Sequence, residues 1–201
     1  MKDYIVGKTL NYIYAHKEYT DLEKDTIGYG ISNLYLQLTK TIVITSIAII
    51  LKIFIPYLIF TILYNIIRMP SFGVHAKKSW HCWVSSIIIF NVTPYLTTIL
   101  SLNTDIKIIV TLISILYMTY YSPADTEKRP IISQKRRMIY KCLSCILSIT
   151  YSFLCIYIKD QVVSNALLLS LLLQCIIISP FTYKLFGQPY NNYKEYLREE
   201  G

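Results

Sequence analysis

Residues 27–67 read IGYGISNLYLQLTKTIVITSIAIILKIFIPYLIFTILYNII, and the number of times this stretch crosses a bilayer decides the fold. Its 41 residues exceed the roughly 20 helical residues that cross a hydrocarbon core, so it holds either one over-long helix or a hairpin of two. Four further apolar runs follow, Trp83 to Leu102, Ile106 to Tyr121, Met138 to Ile158 and Val162 to Phe186. Parity separates the two readings. Lys and Arg concentrate before Thr41 (Lys2, Lys8, Lys17, Lys24, Lys40), between Arg68 and Lys78, between Lys128 and Arg137, and in the tail at Lys184, Lys194 and Arg198, whereas the connections near Lys107 and Lys159 carry one basic residue each. Basic segments stay on the cytoplasmic side. With both the N-terminus and the Arg68 loop inside, an even number of spans separates them, which predicts a hairpin turning near Leu51 and Lys52. Lys52 then snorkels outward, and Pro56 sits in the first turn of the second helix, where a missing amide hydrogen matters least. The competing arrangement lays Asp25 to Lys40 on the cytoplasmic surface as an amphipathic helix and lets Thr41 to Ile67 re-enter at the Lys52/Pro56 break. Parity holds in both.

The resulting fold class is all-α: a polytopic membrane protein of about six transmembrane helices in one bundle. Composition agrees, since 54% of 201 residues are hydrophobic with only six Gly, and a positive mean hydropathy is unusual for a soluble domain of this size. No linker or internal repeat interrupts the runs, so a single transmembrane domain over 1–201 is expected, with a cytoplasmic N-terminal segment at 1–26, a cytoplasmic loop at 68–82 and a cytoplasmic tail at 187–201. The first 25 residues lack the apolar core of a cleavable signal. A formal charge of +8 raises nucleic acid as a partner, but the basic residues flank apolar runs, where they orient spans and meet anionic lipid headgroups; no nucleic acid is expected.

Five cysteines, Cys82, Cys142, Cys145, Cys155 and Cys175, make no disulfide framework, since the last four fall inside apolar runs. Cys142 and Cys145 lack the second ligand pair or the redox context that would make a C-x-x-C a metal or thioredoxin-like site. Neither a metal constellation nor a nucleotide loop is visible, and no cofactor is expected.

The segment from Arg68 to Cys82, RMPSFGVHAKKSWHC, holds two of the three His and the one Cys near a span boundary. A thiol attacks as thiolate, and a neighbouring imidazole takes its proton and later protonates a leaving amine. Cys82 and His75 supply both parts. On a straight helix, seven residues would separate them by about 10.5 Å along the axis, beyond hydrogen-bond reach, so the chain must bend between them, and Gly73 offers freedom just upstream. His81, adjacent to Cys82, points elsewhere on helix or strand. Spacing alone leaves a plainer account open, with both His at headgroup level and Cys82 packing a helix end. A second polar stretch, Ser122 to Pro130, lies on the same side. Locally, Ser122, Pro123 and Asp125 suit a helix N-terminus; functionally, Asp125 orients the His75 imidazole, while Lys128, Arg129, Lys135, Arg136 and Arg137 attract an acidic peptide.

Taken together these residues resemble the AgrB family, membrane peptidases of the accessory gene regulator quorum-sensing system. The resemblance covers most of the chain: Tyr29-Gly30 before the first span, Arg68 with Gly73-Val74-His75-Ala76, Cys82 seven residues after that His, and Pro123-Ala124-Asp125-Thr126-Glu127-Lys128-Arg129-Pro130. Phe72 departs from it, standing where many members have a second Gly. The resemblance implies that Cys82 and His75 are the catalytic pair of a cysteine endopeptidase, to which the functional reading of the second stretch adds Asp125 as third member. It implies that an AgrD-like precursor is the substrate, losing its acidic tail through an acyl-enzyme thioester that leads to a cyclic thiolactone. Arg68, Lys77, Lys78, Lys128, Arg129 and Arg136 are the expected substrate-binding residues, membrane lipids and a second copy in a homodimer the further partners, and a bacterial cell membrane with the site on its cytoplasmic side the location. A small transporter or peptide exporter without proteolytic activity is the alternative from another class. It draws little support from spans with few ionisable groups at mid-depth, and it leaves Cys82 without a task.

Overall fold

The computed structural model describes residues 2–17, 19–74, 79–126 and 130–193, with the side chains of all of these except Ser79 and His81. Among them are eight helices: α1 (Lys2–Tyr14), α2 (Asp21–Ile50), α3 (Phe54–Ser71), α4 (Ser79–Ile99), α5 (Thr104–Tyr121), α6 (Gln134–Tyr157), α7 (Gln161–Ile178) and α8 (Pro180–Leu185). Six of them, α2 to α7, are long and apolar enough to span a bilayer; the chain is a multi-pass membrane protein, as the apolar runs predict. Residues 27–67 form the hairpin. α2 closes at Leu51, and Lys52, with φ of 59°, reverses the chain. The Ile53 amide then donates back to Ala48 O at 2.9 Å, and Pro56 falls in the first turn of α3.

α2 runs unbroken for 30 residues, about 45 Å of helix against a core of about 30 Å. No break separates a surface helix over Asp25 to Lys40 from a span beyond it, and the flat arrangement does not occur. A reciprocal capping box fixes the start of α2: Glu23 N–H donates to Thr20 Oγ1 at 3.4 Å, and Thr20 N–H donates to Glu23 Oε2 at 2.8 Å. Ahead of it, α1 folds back along the first turns of α2, with Tyr14 OH donating to Lys24 O at 2.9 Å.

The bundle is built around α7, which packs against α3, α4, α5 and α6. Over half of its span (56%) is buried, against 11% for α2, so α7 is the axis and α2 the periphery. Phe60, Tyr64, Ile67, Met118, Leu167, Leu168, Leu171 and Ile178 form the centre of the core. Small side chains line the buried face of α6. Ser144, Ser148 and Ser152 follow one another at four-residue spacing along the buried face of α6, and each hydroxyl donates to the carbonyl four residues before it, at 2.7 to 2.9 Å. Small residues let backbones approach in lipid, and back-bonding satisfies their hydroxyls. Ser71 Oγ reaches Ser144 Oγ at 3.1 Å and ties the end of α3 to α6. By contrast Ile109, Leu112, Ile113, Leu116, Ile146 and Ile149 lie exposed on outward faces, as a lipid-facing surface requires.

Candidate functional site

α3, α5 and α7 finish at the same end of the bundle at which α2, α4 and α6 begin, and the segment after α3 is woven into that end by main-chain bonds. Gly73 N–H donates to Ala124 O at 2.8 Å and Ala124 N–H to Ser71 O at 3.0 Å, a single parallel bridge between the exits of α3 and α5. Val74 N–H then donates to Ile177 O at 3.2 Å in the last turn of α7. Gln174 Nε2, fully buried, donates to Phe72 O at 2.8 Å. The chain bends twice to do this: Phe72 has φ of 58° and Gly73 φ of 121°. Glycine is required at 73 on two counts, since its φ disfavours any side chain and a Cβ there would stand 2.5 Å from Ile177 Cγ2. The bend therefore falls at Phe72 and Gly73, just upstream of His75, and α3 ends at Ser71 while α4 begins at Ser79; the expected bend between His75 and Cys82 lies in part outside the described residues.

Cys82 lies in the first turn of α4, half-buried. Its Sγ is 3.9 Å from the Nζ of Lys40, a half-buried residue of α2. His75, Lys77 and Lys78 lie outside the described residues, as do Lys128 and Arg129, so the Cys82/His75 approach and four of the six expected substrate contacts are expectations only. Arg68 is half-buried at the end of α3; its Nη1 donates to Tyr64 OH, and its guanidinium lies 5.6 Å from that ring. Arg136 and Lys135 stand exposed on the first turn of α6.

Asp125 takes an unexpected local role. The stretch from Ser122 begins no helix: Ser122 closes α5, and α6 starts twelve residues on at Gln134, capped by Ser133. Asp125 is 1% exposed, and its carboxylate accepts from three main-chain amides, Ile131 at 3.4 Å, Asn192 at 3.2 Å and Tyr193 at 3.0 Å. Arg137 Nη1 approaches to 4.0 Å, and the Arg137 guanidinium stacks 3.6 Å from the Tyr193 ring centroid. Arg137 is thus engaged inside the protein rather than free to attract a peptide. Tyr183, buried on α8, donates its hydroxyl to the carbonyls of Ala124 and Asp125 at 2.9 and 2.8 Å. Burial, and then the Asp125 carboxylate, push its phenol far above the usual tyrosine range, which keeps it a donor.

Sequence reasoning missed Lys40, grouping it with basic residues that precede the first span. The signal was there once the hairpin is accepted: ten residues, about 15 Å of helix, separate Lys40 from the end of α2 at Ile50, which sets its Cα near half the depth of a 30 Å core. Gln174 and Tyr183 carried no such signal, because only the fold brings them to Phe72 and Ala124.

Comparison with known proteins covers the whole of this architecture. The family model described as accessory gene regulator B matches residues 6–178. The chain is 32% identical over 159 residues to the accessory gene regulator protein B of Staphylococcus aureus, covering 78% of this chain and 82% of that protein. It is 26% identical over 194 residues to an AgrB-like protein of Clostridium acetobutylicum (96% of this chain, 91% of that protein) and 26% identical over 170 residues to one of Listeria monocytogenes (85% and 83%). No solved structure gives a significant match. With six span-capable helices, a family match that runs from α1 to the end of α7, and Cys82 directly after the pinned loop, the chain belongs to the accessory gene regulator B family.

Proposed function

We propose that this protein is the cysteine endopeptidase of an accessory gene regulator quorum-sensing system, removing the C-terminal tail of an AgrD-like precursor at the cytoplasmic face of a bacterial cell membrane. The observation that carries the reading is the placement of Cys82: half-buried in the first turn of α4, beside an ammonium, and eight residues after Val74, which with Gly73 is tied to α7 and to the exit of α5 by main-chain bonds. A thiol that only packed a helix end would need none of this.

His75 takes the Cys82 proton, and the thiolate adds to the carbonyl carbon of the peptide bond before the tail. The carbon–nitrogen bond breaks, the imidazolium returns its proton to the leaving amine, and an acyl-enzyme thioester remains. The precursor's own cysteine thiolate then attacks that carbonyl, and Cys82 is released as a cyclic thiolactone forms. One thioester replaces another, so little free energy is lost, provided water is kept from the carbonyl. A site at the membrane edge serves that need. Asp125 is proposed as the third member, orienting the His75 imidazole, and its carboxylate also holds the Ile131, Asn192 and Tyr193 amides. Lys77, Lys78, Lys128, Arg129 and the exposed Arg136 draw the acidic tail in; this attraction weakens with salt, and a salt-independent cleavage rate would remove that role. The precursor's amphipathic leader lies in the interface and raises its concentration near Cys82. The protein works as a homodimer in this proposal.

The test is co-expression with an AgrD-like precursor, following release of the tail by mass. Cys82→Ala and His75→Ala should each abolish release while membrane insertion stays at the wild-type level. Release that survives Cys82→Ala rejects the peptidase reading and brings the exporter forward.

A further inference from the structure

A lysine inside a span is expensive unless something pairs with it, and its presence there points to a task. Lys40 is such a residue, ten positions from the end of α2. Side chains on a helix lean toward its N-terminus, so the Lys40 stem runs back toward the end of the bundle that carries Cys82, and the ammonium arrives 3.9 Å from Sγ. Among the described residues no carboxylate pairs with Lys40. The hydroxyls on either side of it are turned into their own helix, Thr39 to Tyr35 O and Thr41 to Gln37 O. The charge therefore meets the thiol.

We propose that Lys40 is a positioning residue for the nucleophile, its ammonium holding the Cys82 sulfur in place and offsetting the negative charge that develops there as it attacks the acyl carbon. The proposal deepens the peptidase reading and rests on it for its biological meaning. An ammonium beside sulfur favours the ionised thiol, and at the edge of a low-dielectric core the attraction is larger than in water. The arrangement divides the labour: His75 takes the Cys82 proton and returns it to the leaving amine, while Lys40 stays beside the sulfur and offsets the charge left there. Ionisable groups on elements that pack with α4 have partners of their own: on α3, Arg68 is turned onto Tyr64, and on α7, Cys175 donates to Ser114 O. His75, Lys77, Lys78 and His81 neighbour Cys82 in sequence.

The experiment needs no precursor. Full-length protein in lipid nanodiscs is treated with iodoacetamide across a pH series, and modification of the Cys82 peptide is followed by mass, with Cys142 on the exposed face of α6 as internal control. Lys40→Met and Lys40→Gln should each slow Cys82 alkylation at neutral pH by about tenfold, with Cys142 unchanged and Lys40→Arg close to wild type. Two variants of different polarity guard against a failure of one to insert. A Lys40→Gln profile that superimposes on wild type overturns the proposal, as does an arginine variant that behaves like glutamine. Precursor cleavage separates the two levels: a flat alkylation result with Cys82 still essential removes Lys40 alone, whereas cleavage by Cys82→Ala removes the reading beneath it.

Discussion

The two walls of the site are built differently. On the α5/α7 side the loop is fixed by the Gly73–Ala124–Ser71 bridge, the Val74–Ile177 bond and the buried Asp125 carboxylate, contacts in which the backbone is one partner or both. On the α2/α4 side Cys82 and Lys40 meet through side chains alone, on helices whose spans are 11% and 17% buried against 56% for α7. The contrast teaches how a small membrane protein can combine a fixed loop with an open nucleophile. The rigid wall draws on the core, while the reactive wall, that of Cys82, lies on the less buried helices, where the proposed peptide would arrive from the interface. Substitutions on the rigid wall should cost stability and activity together; substitutions on the reactive wall should change reactivity alone.

The largest effect is expected at Asp125. Asp125→Ala leaves three main-chain amides without their acceptor and the Arg137 guanidinium without its counter-charge, which should cost about 3–5 kcal/mol as a lowered unfolding midpoint in micelles, with cleavage lost in parallel. Asp125→Asn keeps one acceptor oxygen and should fall between. If Asp125→Ala lost cleavage at unchanged stability, the carboxylate would belong to the reactive wall, orienting His75. Gly73→Ala comes next, at about 2–4 kcal/mol from its φ and the clash with Ile177 together; an equally stable alanine variant would mean that the loop is not pinned here. Tyr183→Phe removes the donor to two carbonyls and should cost about 1–2 kcal/mol. Nearby Tyr190 is pushed up to about 12 from 10.0, chiefly by burial. A raised phenol contributes stability that is whole below its unfolded value and lost as pH climbs through the folded one, so its contribution should be flat at neutral pH and decline between about 10 and 12. Tyr190→Phe should flatten that decline in a pH series of unfolding midpoints.

The hairpin at Leu51/Lys52 and the bend near Gly73 were legible in the sequence, because each follows from a local physical demand: a span has a fixed length, and a tight bend favours glycine. The candidate nucleophile was legible too, since its chemistry is written in a short segment. What the sequence did not disclose is long-range. Asp125 looked like a cap for the residues after it, yet its partners include amides at 192 and 193, and a helical reading of Ser122 to Asp125 failed because the exit of α5 is claimed by a bridge to the exit of α3. Arg137 looked like part of a peptide-binding cluster, but only the fold lays Tyr193 across its guanidinium. Lys40 was hidden for another reason. Counting charges assigns it to the inner side, whereas counting residues back from the turn sets it within the span, and the second count needs the hairpin first.

The finest comparison lies between neighbours on the rigid wall. Phe72 holds φ of 58° and ψ of −134°, a conformation that suits glycine and strains other residues by about 1–3 kcal/mol. Its half-buried ring meets Tyr140 edge-on at 5.1 Å, and that contact offsets part of the strain. Phe72→Gly and Phe72→Ala both forfeit the ring, but only alanine keeps the strained backbone. The usual order, in which glycine is the less stable by about 0.5–1 kcal/mol, should therefore reverse, with Phe72→Gly more stable than Phe72→Ala by about 1 kcal/mol. Unfolding midpoints of the two variants, measured side by side in one micelle, decide it. Alanine equal to or above glycine would mean that residue 72 is free to leave its left-handed bend, and with it the register that hands Gly73 to Ala124 and Val74 to Ile177.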